Sequence, residues 1–392
     1  RMTTATDMDI DGRNVICATA PEGLLAELTH RCPLQCAYCS NPLDLDRQNA
    51  ELETQDWIDV FRQAAEMGIL QVHLSGGEPT VRRDLAELVR EIATLGMYSN
   101  LITAAVTLDR ARFVELLESG IDHVQISIQD TDAASAERLS AYRDGLAKKR
   151  QVAMWVVEAD LPLTINAPVH RQNIDRLEDL IAFAVDLGAH RLEVAHIQYY
   201  GWAYLNRAAL MPTYEQALRS QEIVERARER LHGILSIDFV VPDYYARTPK
   251  PCMGGWGRRF MNVSPKGDVL PCHAAHTIPG RQFDNVKSSR RRDIWLHAAA
   301  FSAFRGDAWM KEPCRSCPMK TEDYGGCRCQ AWSFTGDPRN TDPACTKSPM
   351  HNELLQIARR ESLATAPPFV HRRFGGAGGT GSEAPKTSNA VE

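Results

Sequence analysis

Three cysteines stand close together near the start of the chain, in the run Cys32-Pro-Leu-Gln-Cys36-Ala-Tyr-Cys39. Their thiolates can bind three irons of a 4Fe–4S cluster, which normally takes four protein ligands. The fourth iron then has no protein ligand, and an open position is typical of catalytic rather than structural metal sites. A zinc knuckle or unrelated free thiols are the alternatives. Structural zinc needs four protein ligands, however, and no His or Cys lies close downstream to complete that set.

A second motif, Gly76-Gly77-Glu78-Pro79, follows an apolar run at residues 70–74 that predicts a strand. The two glycines allow close backbone approach to a ligand. Glu78 can accept a hydrogen bond from an ammonium group. On its own the motif is weak evidence, because turns of this type are common.

Most of the eleven cysteines lie in the C-terminal part of the chain, at Cys252, Cys272, Cys314, Cys317, Cys327, Cys329 and Cys345. This part is rich in Cys, Gly and Pro, and we expect it to lack the apolar mass for a core and to need metal staples. Zinc is again the alternative, but seven thiols would fill one zinc site and leave several over. Cys17 is far from the others in sequence, and we interpret it as an inert buried thiol.

The composition excludes several classes of function. The chain has 392 residues, is 44% hydrophobic and carries a net charge of −5. We therefore expect no general attraction to nucleic acid or to an anionic membrane. No apolar run reaches the length of a membrane span, and no charged-then-apolar leader opens the sequence. We expect a cytoplasmic protein, whose reducing surroundings would suit an oxygen-sensitive cluster.

Apolar periodicity predicts strands that alternate with helices. The predicted strands are 24–29, 70–74, 101–106, 123–128, 162–168 and 191–197, and the predicted helices are 54–67, 85–95, 110–118, 134–150, 174–187, 213–231 and 352–363. This order indicates an α/β protein with a parallel sheet. Such sheets carry their chemistry at the carboxyl ends of the strands, and both N-terminal motifs fall there.

The cysteine loop and the Gly76–Pro79 motif together resemble the radical S-adenosylmethionine (SAM) superfamily. The resemblance implies a partial (β/α)6 barrel and a 4Fe–4S cluster whose open iron binds SAM. Tyr38 occupies the position of an aromatic residue that lies beside the adenine in that family. Ser127 and Gln129 stand where the family often has a Ser-x-Asp pattern that contacts the ribose, and Asn166 is a further candidate for a cofactor contact.

The C-terminal cysteines resemble the SPASM domain, which carries two auxiliary iron–sulfur clusters. The family's run C-x2-C-x5-C-x3-C, counted from Cys314, places Asp323 at its third position and Cys327 at its fourth. The resemblance implies two ligand sets. One set is Cys314, Cys317, Asp323 and Cys345; the other is Cys252, Cys272 and Cys327, which Cys329 could complete. A carboxylate is a harder ligand than a thiolate, so Asp323 would alter the potential or lability of its cluster.

Several stretches resemble the radical SAM family that begins assembly of pyrroloquinoline quinone. They include the cysteine loop, residues 125–130, residues 252–257 and Asp323. The resemblance implies a short ribosomal precursor peptide as substrate, with a carbon–carbon bond formed between a Glu and a Tyr side chain. It also implies a small peptide-binding chaperone and a flavodoxin-type reductant. The alternatives are a thioether-forming or sulfatase-maturing SPASM enzyme, a non-catalytic electron carrier and a zinc-dependent binding module.

Residues for acid–base chemistry are not assigned by the sequence. His170, His196 and Tyr199 lie near strand ends, but a packing role is equally consistent with their positions. The catalytic base therefore stays unknown. The predicted divisions are an arm at 1–20, a radical SAM barrel at 21–212, a helical connector and linker at 213–250, a SPASM domain at 251–350, a helix and extension at 351–374, and a disordered tail at 375–392.

Overall fold

A computed structural model of the chain describes residues 20–43, 45–46 and 48–372. Residues 1–19 of the predicted arm, including Cys17, and the predicted tail at 375–392 lie outside these residues. The described part has one large sheet with helices packed against it. A smaller, loop-rich C-terminal portion follows.

The sheet has nine strands in the spatial order β7-β6-β5-β4-β3-β2-β1-β8-β9. The strands are β1 Gly23–Thr29, β2 Gln71–Gly76, β3 Tyr98–Thr103, β4 His123–Ser127, β5 Leu163–Val169, β6 Arg191–His196, β7 Ser236–Val240, β8 Phe260–Val263 and β9 Val269–Leu270. All neighbouring pairs are parallel except β8 and β9, which are antiparallel. The α/β class and the open, barrel-like arrangement of parallel strands confirm the predicted fold.

Thirteen α-helices are present in the described part of the chain. They are α1 Thr54–Glu66, α2 Leu85–Thr94, α3 Arg110–Glu118, α4 Ala133–Ser140, α5 Gly145–Glu158, α6 Leu177–Asp186, α7 Gly201–Leu205, α8 Arg207–Leu210, α9 Tyr214–Arg230, α10 Arg291–His297, α11 Ala299–Ser302, α12 Arg328–Thr335 and α13 His351–Leu363. The longer ones bury one apolar stripe, as in α2, where Leu85, Leu88, Val89 and Ile92 are fully covered. This stripe repeats every three to four residues, as expected for a helix packed on a sheet.

The main core lies between the sheet and these helices. On β1, Leu24, Ala26 and Leu28 are fully buried, and they meet the helix stripes in one continuous apolar cluster. The parallel strands end at one common edge, where Thr29 of β1 is paired with Gly76 of β2. Both N-terminal motifs therefore emerge at the same edge of the sheet.

Two elements differ from their predictions. The predicted helix at 134–150 is divided into α4 and α5, because Ala141 and Asp144 adopt left-handed backbone angles, with φ of 51° and 54°. The third predicted strand is displaced, since β3 begins at Tyr98 and ends at Thr103 rather than at residue 106. Neither Ala141 nor Asp144 is a glycine, but the Asp144-Gly145 dipeptide is a turn signal, and the predicted helix runs across it.

The C-terminal portion does contain an apolar core, and the expectation that it would lack one is wrong. Trp256, Leu270, Ile278 and Phe304 are buried together, and the buried cysteines Cys272 and Cys329 belong to the same cluster. The indole ring of Trp256 packs edge-on against Phe304, with 5.1 Å between the ring centroids. Aromatic rings bury much area per residue, which explains how a segment without clear periodicity still forms a core.

Candidate active site

A cavity of about 230 Å³ opens at the carboxyl edge of the parallel strands. Eight of the residues singled out from the sequence line it, namely Cys32, Cys36, Tyr38, Cys39, Gly76, Gly77, Ser127 and Gln129. They come from the loops after β1 and β2 and from the end of β4. The structure thus brings three sequence-distant motifs to one concave site. Cys32, Cys36 and Cys39 are called the N-terminal thiol set below.

The loop that carries the N-terminal thiol set is held by hydrogen bonds to its carbonyls. Asn206, which is buried, donates to Ala37 O over 2.9 Å. Arg372, at the end of the described chain, donates to Cys32 O over 3.0 Å and to Leu34 O over 2.8 Å. The loop is therefore fixed by residues from far along the chain, and its thiols are preorganised.

The thiols of this set are buried enough to change their acidity. Burial raises the pKa of Cys32 to about 12 and that of Cys39 to about 11, and it also raises the pKa of Cys36. A buried thiol gives up its proton readily when a positive charge, such as a metal ion, compensates the charge of the thiolate. The donor chemistry therefore fits a metal cluster better than free nucleophilic thiols.

Gly76 and Gly77 lie so close to the backbone of the loop after β1 that neither position has room for a side chain. A Cβ on Gly76, where φ is +123°, would lie 2.4 Å from Thr29 O, and a Cβ on Gly77 would lie 2.4 Å from Arg31 O. The backbone N–H of Gly77 donates to Thr29 O over 2.6 Å. The sequence predicted that these glycines allow a ligand to approach the backbone closely. In the structure, they allow the backbone at Thr29 and Arg31 to approach closely, and both glycines also line the cavity.

Glu78 has partners other than the expected ammonium group. Its carboxylate is fully buried, and Oε1 accepts from the Thr80 N–H at 3.0 Å and from the hydroxyls of Thr80 and Thr103 at 2.6 Å each. Oε2 accepts from the N–H of Ala104 at 2.6 Å. Oε1 thus accepts three hydrogen bonds and Oε2 accepts one, all from donors of the protein itself. Glu78 therefore ties the end of β3 to the loop after β2, beneath the cavity.

A hydrogen-bonded chain connects the cavity wall to a buried lysine. Gln129 Nε2 donates to the Tyr38 hydroxyl over 2.7 Å. Lys149 donates to Gln129 Oε1 and, over 2.7 Å, to Ser127 O. Burial lowers the pKa of Lys149 to about 8. Lys149 was missed by the sequence reasoning, because a single lysine in an amphipathic pattern gives no sign that it is buried.

Asn166 lies on the strand next to Ser127 but takes another partner. Its amide donates to Glu193 Oε2 over 2.9 Å, and it is absent from the described residues that line the cavity. Trp202, which sequence reasoning also missed, does line the cavity. Its indole N–H is buried and has no hydrogen-bond partner within the described residues. Such an unpaired donor is suited to an acceptor on a bound ligand.

The three candidate bases lie outside this cavity. His170 is fully buried, stacks on Tyr38 with 6.4 Å between ring centroids, and has its pKa lowered to about 3 by burial. His196 hydrogen-bonds to the Ser220 hydroxyl over 3.0 Å, and burial lowers its pKa to about 3 as well. Tyr199 donates weakly to the Met211 sulfur over 3.5 Å. These contacts favour packing roles for all three.

Four C-terminal thiols form a closed set, called the first C-terminal set below. Hydrogen bonds link Cys252 with Cys272 and Cys327, and they link Cys329 with the same two thiols. The bond from Cys252 is the largest cause that lowers the pKa of Cys272 and of Cys327 well below the ordinary value. Cys329, the extra cysteine, thus belongs to the same group of four thiols as Cys252, Cys272 and Cys327.

A second C-terminal set consists of Cys314, Cys317, Asp323 and Cys345, which line one small pocket. The Lys347 ammonium donates to Cys317 Sγ over 3.2 Å, and the Cys314 thiol lies 3.6 Å from the Thr341 hydroxyl. The N–H of Gly325 donates to Asp323 Oδ1 over 2.8 Å. The carboxylate therefore stands among three sulfurs, at the place where the spacing predicts a ligand.

No group of three or more His, Cys, Asp or Glu side chains in the described ranges has the geometry of a site for one metal ion. Ligands of a single ion converge on one point, whereas each thiolate of a cluster binds a different iron.

Comparison with known families agrees with this architecture. Residues 26–184 match the radical SAM superfamily, and residues 252–318 match the SPASM iron-sulfur cluster-binding domain. The structure of Streptococcus suis SuiB bound to S-adenosylmethionine superposes with a TM-score of 0.72 and 21% identity, covering 84% of this chain and 78% of that one. The fold and the thiol sets therefore define a radical SAM enzyme with a SPASM domain.

Curated relatives narrow the family further. A PqqA peptide cyclase of Methylorubrum extorquens is 56% identical over 356 residues, which are 91% of this chain and 93% of the relative. One from Bradyrhizobium diazoefficiens is 55% identical over 361 residues, 92% of this chain and 94% of the relative. The chain belongs to the PqqA peptide cyclase family. No helix among the described residues is long and apolar enough to cross a bilayer.

Proposed function

We propose that this enzyme forms a carbon–carbon cross-link between a Glu and a Tyr side chain of a short ribosomal precursor peptide, the first step of pyrroloquinoline quinone biosynthesis. Membership of the PqqA peptide cyclase family supports the peptide substrate. The observation that carries the chemistry is the single cavity that collects the N-terminal thiol set, the two glycines and the Tyr38–Gln129 pair. The reducing cytoplasm is the proposed location.

The residues present fit a 4Fe–4S cluster and SAM. Cys32, Cys36 and Cys39 would hold three irons, and the buried thiols would release their protons to the metal. When bound and reduced, these cofactors supply a 5′-deoxyadenosyl radical that takes a hydrogen atom from the γ-carbon of the peptide's Glu. Trp202 would offer a bound ligand in the same cavity its buried N–H, which has no hydrogen-bond partner in the part of the chain that the structure describes.

Tyr38 and Gln129 would position SAM, since their hydrogen bond places a ring and an amide side by side on the cavity wall. Lys149 holds the Tyr38–Gln129 pair in place, because its ammonium group donates hydrogen bonds to Gln129 Oε1 and to Ser127 O. Ser127 lines the same wall. The amide of Asn166 donates to Glu193 on the neighbouring strand β6, so this side chain links two strands and is not part of the cavity wall.

The two C-terminal sets would hold two auxiliary iron–sulfur clusters. Joining the Glu carbon to the Tyr ring removes two hydrogens from the peptide. One leaves as a hydrogen atom that converts the 5′-deoxyadenosyl radical to 5′-deoxyadenosine, and the other leaves as a proton and an electron when the ring regains aromaticity. Clusters held by these residues would supply an acceptor for that electron, which gives the SPASM domain a physical purpose. A small peptide chaperone would present the substrate, and a flavodoxin-type protein would deliver the first electron.

The test is an anaerobic incubation of the reconstituted enzyme with dithionite, SAM and a precursor peptide that contains both Glu and Tyr. We expect 5′-deoxyadenosine, together with a peptide that is lighter by two hydrogens and whose fragments stay joined between Glu and Tyr. A matched enzyme with Cys36→Ala should form neither product. Absence of 5′-deoxyadenosine with intact clusters would remove the radical mechanism.

The same incubation separates the rival SPASM activities. A cross-link that maps to a cysteine sulfur, or oxidation of a cysteine to an aldehyde, would assign the enzyme to the thioether-forming or sulfatase-maturing class. Formation of 5′-deoxyadenosine without change in the Glu/Tyr peptide would overturn the proposed substrate while leaving the radical chemistry intact.

A further inference from the structure

A short segment of the chain touches both the N-terminal thiol set and the first C-terminal set. The N–H of Ala203 in α7 donates to Cys39 O over 3.1 Å. Three residues earlier, the Tyr200 hydroxyl lies 2.9 Å from Cys327 Sγ. Residues 200–203 therefore connect the loop of one sulfur set with a sulfur of the other.

The backbone around Tyr200 has little freedom to move. Gly201 has a φ of +52°, and a Cβ at this position would lie 2.1 Å from Asn41 O. The N–H of Tyr200 donates to Gln198 O over 3.0 Å, and its carbonyl accepts from the N–H of Tyr204 over 3.3 Å. The position of the Tyr200 ring is therefore set by the packing of α7 on the cysteine loop.

The direction of the hydrogen bond follows from the chemistry of an iron ligand. A cysteine that binds iron is a thiolate and has no proton to donate, so the Tyr200 hydroxyl must be the donor. The backbone N–H of Gln330 also donates to Cys327 Sγ, over the longer distance of 3.4 Å. Tyr200 thus supplies the shorter of the two hydrogen bonds that this sulfur receives in the described structure.

We propose that Tyr200 tunes the reduction potential of the auxiliary cluster held by Cys252, Cys272, Cys327 and Cys329, through the hydrogen bond from its hydroxyl to the Cys327 sulfur. Hydrogen bonds to cluster sulfurs are one of the terms that set such potentials. A reduced cluster carries one more negative charge, so a donor at a ligand sulfur stabilises the reduced state. Tyr200 is a positioning residue, and the inference rests on the auxiliary cluster proposed above.

The same region provides a matched control. Tyr200 and Tyr204 both line a cavity of about 320 Å³ that also includes Cys329 and Trp332. The ring of Tyr204 contacts the Arg207 guanidinium, with 5.0 Å from Arg207 Cζ to the ring centroid. Its hydroxyl has no hydrogen bond to a cysteine in the described structure. Tyr204→Phe therefore removes a hydroxyl from the same cavity without touching a ligand sulfur.

The experiment is an anaerobic redox titration of the full-length holoenzyme, followed by electron paramagnetic resonance, for the wild type, Tyr200→Phe and Tyr204→Phe. Added SAM changes the signal of the N-terminal cluster and so distinguishes it from the auxiliary signals. We expect Tyr200→Phe to lower one auxiliary potential, so that the ratio of reduced to oxidised cluster at a fixed potential falls about tenfold, or about 59 mV for one electron. The reduction potentials of the other clusters should stay unchanged in Tyr200→Phe. In Tyr204→Phe, all the reduction potentials should equal those of the wild type.

Measuring the iron and sulfide content distinguishes failure of the auxiliary-cluster proposal from failure of the proposed role of Tyr200. If the wild type holds no cluster at the first C-terminal set, which Cys329→Ser would reveal by leaving the iron content unchanged, the auxiliary-cluster part of the proposed function fails. If the cluster is present and Tyr200→Phe leaves its potential in place, only the role of Tyr200 is overturned. Loss of the cluster from Tyr200→Phe, or an equal shift in Tyr204→Phe, overturns the tuning role too.

Discussion

The carboxylate of Asp342 accepts a hydrogen bond from the backbone N–H of Cys327, with 2.6 Å between Oδ2 and the nitrogen. Its other oxygen accepts from the N–H of Ala344, the residue before Cys345, over 3.0 Å. Gln330 donates to this second oxygen as well, also over 3.0 Å. Asp342, which is almost fully buried, thus ties a thiol of the first C-terminal set to the loop that carries a thiol of the second.

Replacing Asp342 with Asn should weaken both C-terminal sets while sparing the N-terminal one. The amide NH2 of Asn would face at least one of the N–H donors at Cys327, Ala344 and Gln330, and an unsatisfied buried donor costs about 1–3 kcal/mol. We expect iron content to fall while SAM-dependent formation of 5′-deoxyadenosine is retained. Asp337→Asn, in the same segment but more exposed, is the control. Full auxiliary iron in Asp342→Asn would show that the link between the two loops is dispensable.

Replacing Glu78 with Gln should destabilise the joint between the loop after β2 and the end of β3. Gln can keep the three bonds to Oε1, but its NH2 group would oppose the N–H of Ala104. The expected loss is about 1–3 kcal/mol of unfolding free energy, measured by anaerobic denaturant titration. Glu87→Gln, exposed on α2, should cost little by comparison. Equal stability of the two variants would contradict the structural role, and loss of SAM affinity alone would instead favour direct contact with SAM.

The sequence was sufficient to place most of the cavity wall. Tyr38 and Gln129 are 91 residues apart, yet both were expected at strand carboxyl ends, where they hydrogen-bond to each other. The two residues meet because parallel strands bring all their carboxyl ends to one edge, whatever the sequence separation. The resemblance implied a set of Cys252, Cys272 and Cys327 that Cys329 could complete, and these four thiols lie together in the structure.

The remainder depended on contacts that one sequence does not reveal. Whether Asn166 points to a cofactor or to Glu193 depends on the side chain opposite it on β6. The burial of Lys149 depends on where α5 docks, and that docking follows from the unpredicted break between α4 and α5. The strands β8 and β9 have four and two residues, too few for any periodicity to be recognised.

Replacing Lys149 with Met should weaken SAM binding without unfolding the protein. The ammonium group holds Gln129 and Ser127 O, and hydrogen bonds to a charged group contribute about 1.5–3 kcal/mol. We expect the dissociation constant of SAM to rise roughly tenfold or more. Because Gln129 Oε1 and Ser127 O would lose their donor, the free energy of unfolding should also fall, by about 1–3 kcal/mol. Lys148→Met, which removes a lysine that packs on Trp155, is the control, and similar SAM affinity in both variants would exclude the role of Lys149.

Replacing Asp323 with Cys should keep the second C-terminal cluster and lower its reduction potential. Asp323 lines the same pocket as Cys314, Cys317 and Cys345, and a thiolate donates more charge to iron than a carboxylate does. Asp323→Ala should alter iron content or potential, whereas Glu322→Ala, at an exposed neighbouring position, should alter neither. Both quantities are measured by iron analysis and redox titration. An Asp323→Ala enzyme with unchanged iron and potential would show that the carboxylate is only a loop residue.

Acid should destabilise the folded protein partly through His196. Burial lowers the pKa of His196 from 6.5 to about 3, so the folded state keeps this imidazole neutral. Between these two pH values the unfolded chain binds one more proton than the folded chain at this residue, and stability is lost as the pH falls. The loss from one such histidine approaches about 1.4 kcal/mol per pH unit.

His196→Gln, whose amide can still bond to Ser220, should therefore lose less stability than the wild type between pH 7 and 5.5, as measured by anaerobic urea unfolding. His232→Gln, at an exposed position, should follow the wild type. If all three proteins show the same dependence on pH, the acid sensitivity comes from other groups, and His196 is not kept neutral by folding.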